Sequence, residues 1–285
     1  MAKNLIISGF TGYNYNQLKP YLKSIDESVG DCDKVMITGN ASSETIGKLI
    51  EHGWFIEKLP DMNIPIHVAR FLAIYEFLRE RHQDYDWVVS TDVKDVIFQA
   101  CPFEWLFDLS METNFKLVAG SESIRYKDES WGNDNLKQAY GEYVHERFKD
   151  NIIYNVGTLG GKAEYIKDLV FQIFFNGINR PIPIVDQAVY NVLLQTQPYK
   201  GVTFFANQLH GWACQAGTTV DPSKIEGFRP NLTEAEPVWK DGKVYTADGN
   251  LFSIVHQYDR VPEWKKYYME KFEQEDESQY FVYKV

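Results

Sequence analysis

The sequence predicts an α/β fold: a mostly parallel central sheet flanked by helices, with a small antiparallel element. Three observations carry this. Strand-like and helix-like segments alternate through the first half, the order that builds βαβ units. The stretch Trp87–Phe98 is an apolar run interrupted by two carboxylates, Asp92 and Asp95. Asp241-Gly242 stands between strand-like flanks, which is a hairpin signature.

Taken in order, Leu5–Ser8 reads as a strand, Tyr15–Ile25 as a helix, Lys34–Thr38 as a strand, Ser43–His52 as a helix and Phe55–Lys58 as a short strand. His67–Arg81 is a helix, because Val68, Phe71, Leu72, Tyr75 and Leu78 share one face at helical spacing. The acidic strand follows. In the second half, Lys116–Gly120 reads as a strand, Ser121–Asn135 as polar loop and Leu136–Phe148 as a helix. Ile152–Tyr154 is a strand, and Ala163–Phe175 a helix. Asp186–Gln195 is a further helix, with Asp186 as its expected N-cap. Val202–Phe205 and Phe252–Val255 read as the last strands, and the charged tail from Glu270 as a peripheral helix. No repeat, low-complexity block or linker divides the 285 residues, so one domain is expected.

Composition narrows the function. Hydrophobic residues make up 44% and charged residues 24%, the balance of a globular protein. A net charge of −11 argues against a nucleic-acid partner, which calls for a basic face. It does not exclude a phosphorylated ligand, because a bound cation inverts the local field. Cys32, Cys101 and Cys214 are odd in number and widely spaced, which suits a reducing compartment and forms no zinc pattern. The first ten residues lack an apolar leader, and no apolar run reaches the ~20 residues of a membrane helix. A cytoplasmic protein without a transmembrane segment is therefore expected.

Four motifs carry chemistry. The first is Ser90-Thr91-Asp92-Val93-Lys94-Asp95. Parallel sheets hold ligands beyond the carboxyl ends of their strands, and two acids there suit a hard divalent cation shared with phosphates. Aspartates capping a turn are the competing explanation. The second is Ile254-Val255-His256-Gln257-Tyr258-Asp259-Arg260, where a buried strand delivers an imidazole that would suit manganese. The third is Asn155-Val156-Gly157-Thr158-Leu159-Gly160-Gly161, whose glycines let backbone approach a ligand. The fourth is Asp186-Gln187-Ala188 at a helix start. Asp84-Tyr85-Asp86 is a literal Asp-x-Asp, but it precedes the apolar run and reads as a solvated loop.

In this order, the four motifs resemble those of metal-dependent nucleotide-sugar glycosyltransferases of the GT-A fold, the group of glycogenin-like enzymes and bacterial lipopolysaccharide galactosyltransferases. The likeness runs over about residues 1–260 through short motifs. It implies a GT-A-like, Rossmann-type domain, with residues 1–120 binding nucleotide, 121–265 binding acceptor and 266–285 as a peripheral tail. It implies that Asp92, Asp95 and His256 hold Mn²⁺ or Mg²⁺, and that Asp186 and Gln187 act at the reacting carbon. Ser8, Gly9, Phe10, Thr11, Tyr13, Arg70, Thr91, Lys94, Asn155, Gly157 and Arg260 would contact the donor, a UDP- or GDP-sugar. Asp259 is a candidate contact for a glycan or glycoprotein acceptor, and Trp212 a candidate acceptor platform because aromatic faces stack on sugars, although a tryptophan there is more often a core residue. The family spaces its acids at i and i+2; here they stand at i and i+3, with Lys94 in the usual second position. Asp186 and Gln187 beside the anomeric carbon would favour retention of configuration.

Rival readings meet obstacles. Gly9-Phe10-Thr11-Gly12 resembles a dinucleotide loop, but Tyr15 stands where the third glycine belongs. An aspartyl phosphatase needs acids after the first strand, and Leu5–Gly9 has none. A nucleotidyltransferase needs a basic Gly-rich loop, and Gly9–Asn16 has no Lys or Arg. A non-catalytic nucleotide-sugar-binding module remains the alternative outside enzymes.

Overall fold

A computed structural model describes residues 2–61 and 63–282, with side chains up to residue 273. The strands are β1 (Lys3–Phe10), β2 (Asp33–Thr38), β3 (Phe55–Lys58), β4 (Tyr85–Thr91), β5 (Val96–Phe98), β6 (Leu117–Arg125), β7 (Ile152–Tyr154), β8 (Thr158–Lys162), β9 (Thr203–Ala206), β10 (Ala213–Gln215), β11 (Val238–Lys240), β12 (Lys243–Tyr245) and β13 (Ile254–His256). The main helices are α1 (Tyr15–Ser28), α2 (Ser43–Glu51), α3 (Ile66–Arg81), α4 (Pro102–Glu112), α5 (Ser130–Phe148), α6 (Ala163–Gly177) and α7 (Asp186–Leu194). Two single-turn helices, Ala216–Thr219 and Ile225–Phe228, precede the last helix, Pro262–Val282.

The central sheet runs β3-β2-β1-β4-β8-β6-β7, with β9 also paired to β6. The first four strands are parallel. Strand β8 is antiparallel to both β4 and β6. The chain steps outward from β1 to β3 and then returns to the other side of β1 as β4, so strand order reverses between β1 and β4. That reversal opens a crevice at their carboxyl ends. Asp92 follows β4 there.

Strand alternation divides the core. Leu5 and Ile7 of β1 pack with α3, α6 and α7 on one face; Ile6 packs with α1, α2 and α4 on the other. Asn14 and Gln17 form a capping box that starts α1. A smaller sheet, β10-β13-β5, leans on a third cluster that contains Trp264, Tyr268 and Phe272 of the last helix. The β11–β12 hairpin turns at Asp241 (φ 51°) and Gly242 (φ 74°), the left-handed pair expected for Asp-Gly.

Three expectations are corrected. Ser121–Asn135 is not a loop: β6 continues to Arg125 and α5 starts at Ser130. Polar Ser121, Glu122 and Ser123 masked a strand whose side chains are nonetheless buried. Asp186 is the first helical residue, with Val185 at the N-cap position, and its carboxylate is held by Arg70. The last helix starts at Pro262 rather than near Glu270, and Trp264, Tyr268 and Phe272 dock its first turns; the side chains from 274 on and residues 283–285 of the expected tail lie outside the described residues.

Candidate metal and nucleotide-sugar site

After β4 the chain turns through Asp92, Val93, Lys94 and Asp95 and enters β5. Val93 is buried and Lys94 exposed, so the two carboxylates share the inner side of the turn. The extra residue relative to an i, i+2 spacing is thus taken up by a turn that sends Lys94 outward. Strand β5 runs antiparallel to β13, with Val96 opposite His256. That register sets the imidazole beside the acidic turn. His256 Nε2 lies 3.4 Å from Asp92 Oδ2 and 3.7 Å from Asp95 Oδ1. One ligand atom from each residue lies within 4.8 Å of the others.

The imidazole is oriented from behind. Strand β10 pairs with β13 so that Gln215 lies opposite His256. Gln215 Nε2 donates to Thr158 Oγ1 at 3.0 Å, which leaves Gln215 Oε1 to accept from His256 Nδ1 at 2.8 Å. Nε2 is then the nitrogen that faces the carboxylates, and the one the imidazole would offer to a metal once deprotonated. Two carboxylate oxygens and a neutral imidazole fit a manganese-type ion.

Arg70 joins this cluster to the start of α7. Its guanidinium donates to Asp92 Oδ1 and, at 3.2 Å, to Asp186 Oδ2. Arg70 and Asp186 are buried, and no partner satisfies Arg70 Nε. Burial opposes ionisation of Asp92, but Arg70 and then His256 outweigh it and hold its carboxyl well below the usual range. Burial pushes the Asp186 carboxyl up despite Arg70. Asp95 is also raised, by burial and then by the neighbouring Asp92 charge. Burial lowers the His256 pKa, yet Asp95 and Asp92 together raise it on balance. In the chain alone these carboxylates draw a proton onto the imidazole; a cation would take that proton's place.

Asn155 and Gly157 close the floor. Asn155 N donates to Gly120 O, Gly157 N to Asn155 Oδ1 at 2.7 Å, and Asp92 N to Gly157 O at 3.0 Å. A Cβ at Gly157 would lie 2.7 Å from Asp92 Oδ2 and 2.8 Å from His256 Cε1. Only glycine lets this backbone pass beside the cluster.

Two cavities meet at Asp92, Asp95 and Arg70. The smaller, of about 260 Å³, is lined by Gly9, Phe10, Thr11, Tyr13, Lys94 and Arg260 in addition. Tyr13 stacks on Phe10 with centroids 6.1 Å apart, and Lys94 Nζ lies 6.0 Å above the Tyr13 ring. The larger, of about 750 Å³, extends past Asn155, Gly157, Asp186, Gln187 and His256 to exposed Trp131 and to Lys224.

Four expected residues lie elsewhere. Trp212 is fully buried, donates from Nε1 to Thr158 O at 3.2 Å and packs against Trp105, so it presents no face to a sugar. Asp259 lines the smaller cavity and not the larger one. Ser8 and Thr91 are buried beneath the site. Ser8 Oγ accepts from Thr91 N at 3.2 Å, and Tyr21 Oη bonds both hydroxyls, at 2.9 and 3.2 Å. They tie β1 to β4 rather than face a ligand.

Three residues escaped the sequence reading. Trp131 and Glu122 fell in the supposed loop. Glu122 lies where the β6–β7 register shifts between Ser121 and Arg125, beside Ser123 at φ 60°. Such a bulge re-aims a side chain. Ile124 after the polar triplet was the one signal that burial continued. Gln215 gave no signal, since only strand pairing sets it behind His256.

No protein-family model matches the chain, and no curated protein matches it by sequence. Among solved structures, it is similar to the apo structure of WbbM, a bifunctional glycosyltransferase, at 13% identity and a TM-score of 0.53. That match covers 90% of this chain and 45% of the WbbM chain, so this chain spans less than half of that protein. It is also similar to the galactosyltransferase LgtC in complex with donor and acceptor sugar analogs, at 14% identity and a TM-score of 0.50, covering 88% of this chain and 86% of that one. At such identities the likeness is one of fold: a mixed α/β GT-A-type architecture with a mostly parallel sheet. No helix among the described residues is long and apolar enough to cross a membrane.

Proposed function

We propose that this chain transfers a sugar from a nucleoside diphosphate sugar to a hydroxyl of a glycan or protein acceptor, with a divalent cation at Asp92, Asp95 and His256. The observation that carries the reading is this three-residue cluster at the sheet's switch point, with a cavity on either side. The solved neighbours, a galactosyltransferase among them, support it through fold.

Bound Mn²⁺ or Mg²⁺ would act as a Lewis acid toward the departing diphosphate. The chain's own residues supply the rest. Asp92, Asp95 and His256 hold the cation, with Gln215 fixing the imidazole tautomer. Tyr13, Lys94 and the loop after β1 seat the nucleoside in the smaller cavity. Arg260 adds positive charge where the diphosphate would lie. Arg70 holds Asp186 beside the larger cavity, and Asp186 with Gln187 lines the space for the transferred hexose or deoxyhexose. The acceptor enters the larger cavity, with Trp131 in place of Trp212 as the aromatic face at its mouth.

A thermal-shift panel of UDP and GDP with and without Mn²⁺ tests the reading. A ligand that binds the native state raises its melting point. A rise that needs both nucleotide and metal supports the proposal. No rise with either nucleotide would end it.

A further inference from the structure

We propose that Glu122 receives the acceptor hydroxyl in the larger cavity and takes its proton as the new glycosidic bond forms. The inference rests on the transferase reading and adds the group that handles the proton.

Six carboxylates line that cavity: Asp92, Asp95, Glu122, Glu129, Asp186 and Asp221. Five are otherwise engaged. Asp92 and Asp186 share Arg70, and Asp92 and Asp95 face His256. Glu129 caps α5 by accepting from Trp131 N and Gly132 N. Asp221 Oδ1 accepts from Ser223 N and Ser223 Oγ.

Glu122 differs. It is 5% exposed, and among the described residues no lysine, arginine or histidine hydrogen-bonds its carboxylate. Its Oε1 accepts from Asn155 Nδ2 at 2.8 Å and from Gln187 Nε2 at 3.0 Å. These two neutral amides fix the carboxylate plane without neutralising it. No donor among the described residues reaches Oε2. The carboxylate is therefore oriented by residues that belong to the site, and one oxygen is left for a ligand donor. Burial pushes its carboxyl up to about 7, which suits a base at neutral pH.

The balance is simple. The bond from the anomeric carbon to the diphosphate oxygen breaks, and its electron pair leaves with the diphosphate. The acceptor oxygen bonds to the anomeric carbon, and its proton passes to Glu122 Oε2 and then to solvent.

The test compares wild type, Glu122→Gln and Glu122→Ala in Mn²⁺, with UDP-glucose, UDP-galactose and GDP-mannose as donors and water as acceptor. Release of nucleoside diphosphate is followed from pH 5.5 to 8.5. The expected result for Glu122→Gln is UDP or GDP binding within twofold of wild type and release slowed about 100-fold. The rise of rate through neutral pH disappears, and formate partly restores Glu122→Ala. Release within threefold of wild type, with the same pH profile, overturns the role of Glu122 alone. Loss of nucleotide binding in Glu122→Gln makes the residue a structural support and overturns the role as well. Wild type that binds nucleotide but cleaves none of the three donors overturns it and leaves a binding module. Wild type that binds no nucleotide overturns the transferase reading itself.

Discussion

His256 Nε2 lies 3.4 Å from Asp92 Oδ2, although the two residues are far apart in sequence and one follows a strand of the central sheet while the other ends a strand of the smaller one. Strand pairing alone explains the approach: β5, which follows Asp95, runs antiparallel to β13 with Val96 opposite His256. If the pair holds a cation, binding must displace the proton that Asp95 and Asp92 favour on the imidazole. Mn²⁺ affinity is therefore expected to fall as pH drops, with proton release on binding. Calorimetry in two buffers of different ionisation enthalpy measures that release.

Gly157 gives a sharper test. A Cβ there meets Asp92 Oδ2 at 2.7 Å and His256 Cε1 at 2.8 Å. Gly157→Ala is expected to weaken Mn²⁺ binding about 10- to 100-fold, the range seen when a metal site's support is disturbed. The far-ultraviolet circular dichroism should stay that of wild type.

Arg70 is buried between two carboxylates. Arg70→Met removes the compensation of Asp186 and is expected to cost about 3–5 kcal/mol of stability, because breaking a buried pair strands a charge. Urea denaturation at neutral pH measures the loss, and lowering the pH should recover part of it as the stranded carboxyl protonates.

Trp212 should behave as a core residue. Trp212→Ala leaves a large void against Gly160 and Trp105, and about 3–5 kcal/mol is expected to be lost. Trp131→Ala at the cavity mouth should leave stability near wild type and instead raise the acceptor KM. The opposite pattern would return Trp212 to the acceptor.

Glu122 also predicts a pH dependence of stability. Its folded pKa of about 7 lies above the ordinary 4.5, so the folded chain binds the proton more tightly. The associated stability is present below pH 4.5 and is lost as pH rises to about 7, to a limit of about 3 kcal/mol. Glu122→Gln removes that loss. In EDTA its melting point should exceed that of wild type at pH 8 and approach it at pH 5.

Much of this was legible in the sequence. The alternation of segments gave the parallel half, because each apolar run of β1, β2 and β4 is buried on both faces and flanked by clear breaks. Asp92, Asp95 and His256 were visible because charged groups at the ends of buried strands need a reason. The bulged end of β6 was not, since Ser121-Glu122-Ser123 looks solvated until β7 and Asn155 cover it. Trp212 could not be placed either. A tryptophan after His-Gly reads the same whether it lines a cavity or fills a core, and only its packing against Gly160 decides. Gln215 depends on a pairing between distant strands, which local pattern does not encode.

The most direct measurement is the free Mn²⁺ signal in electron paramagnetic resonance as the metal is titrated into the chain with UDP or GDP. One saturable site is predicted, lost in Asp92→Ala and in His256→Ala while both variants remain folded. A signal that never diminishes, or one that diminishes equally in wild type and both variants, would contradict a cation held between these strands.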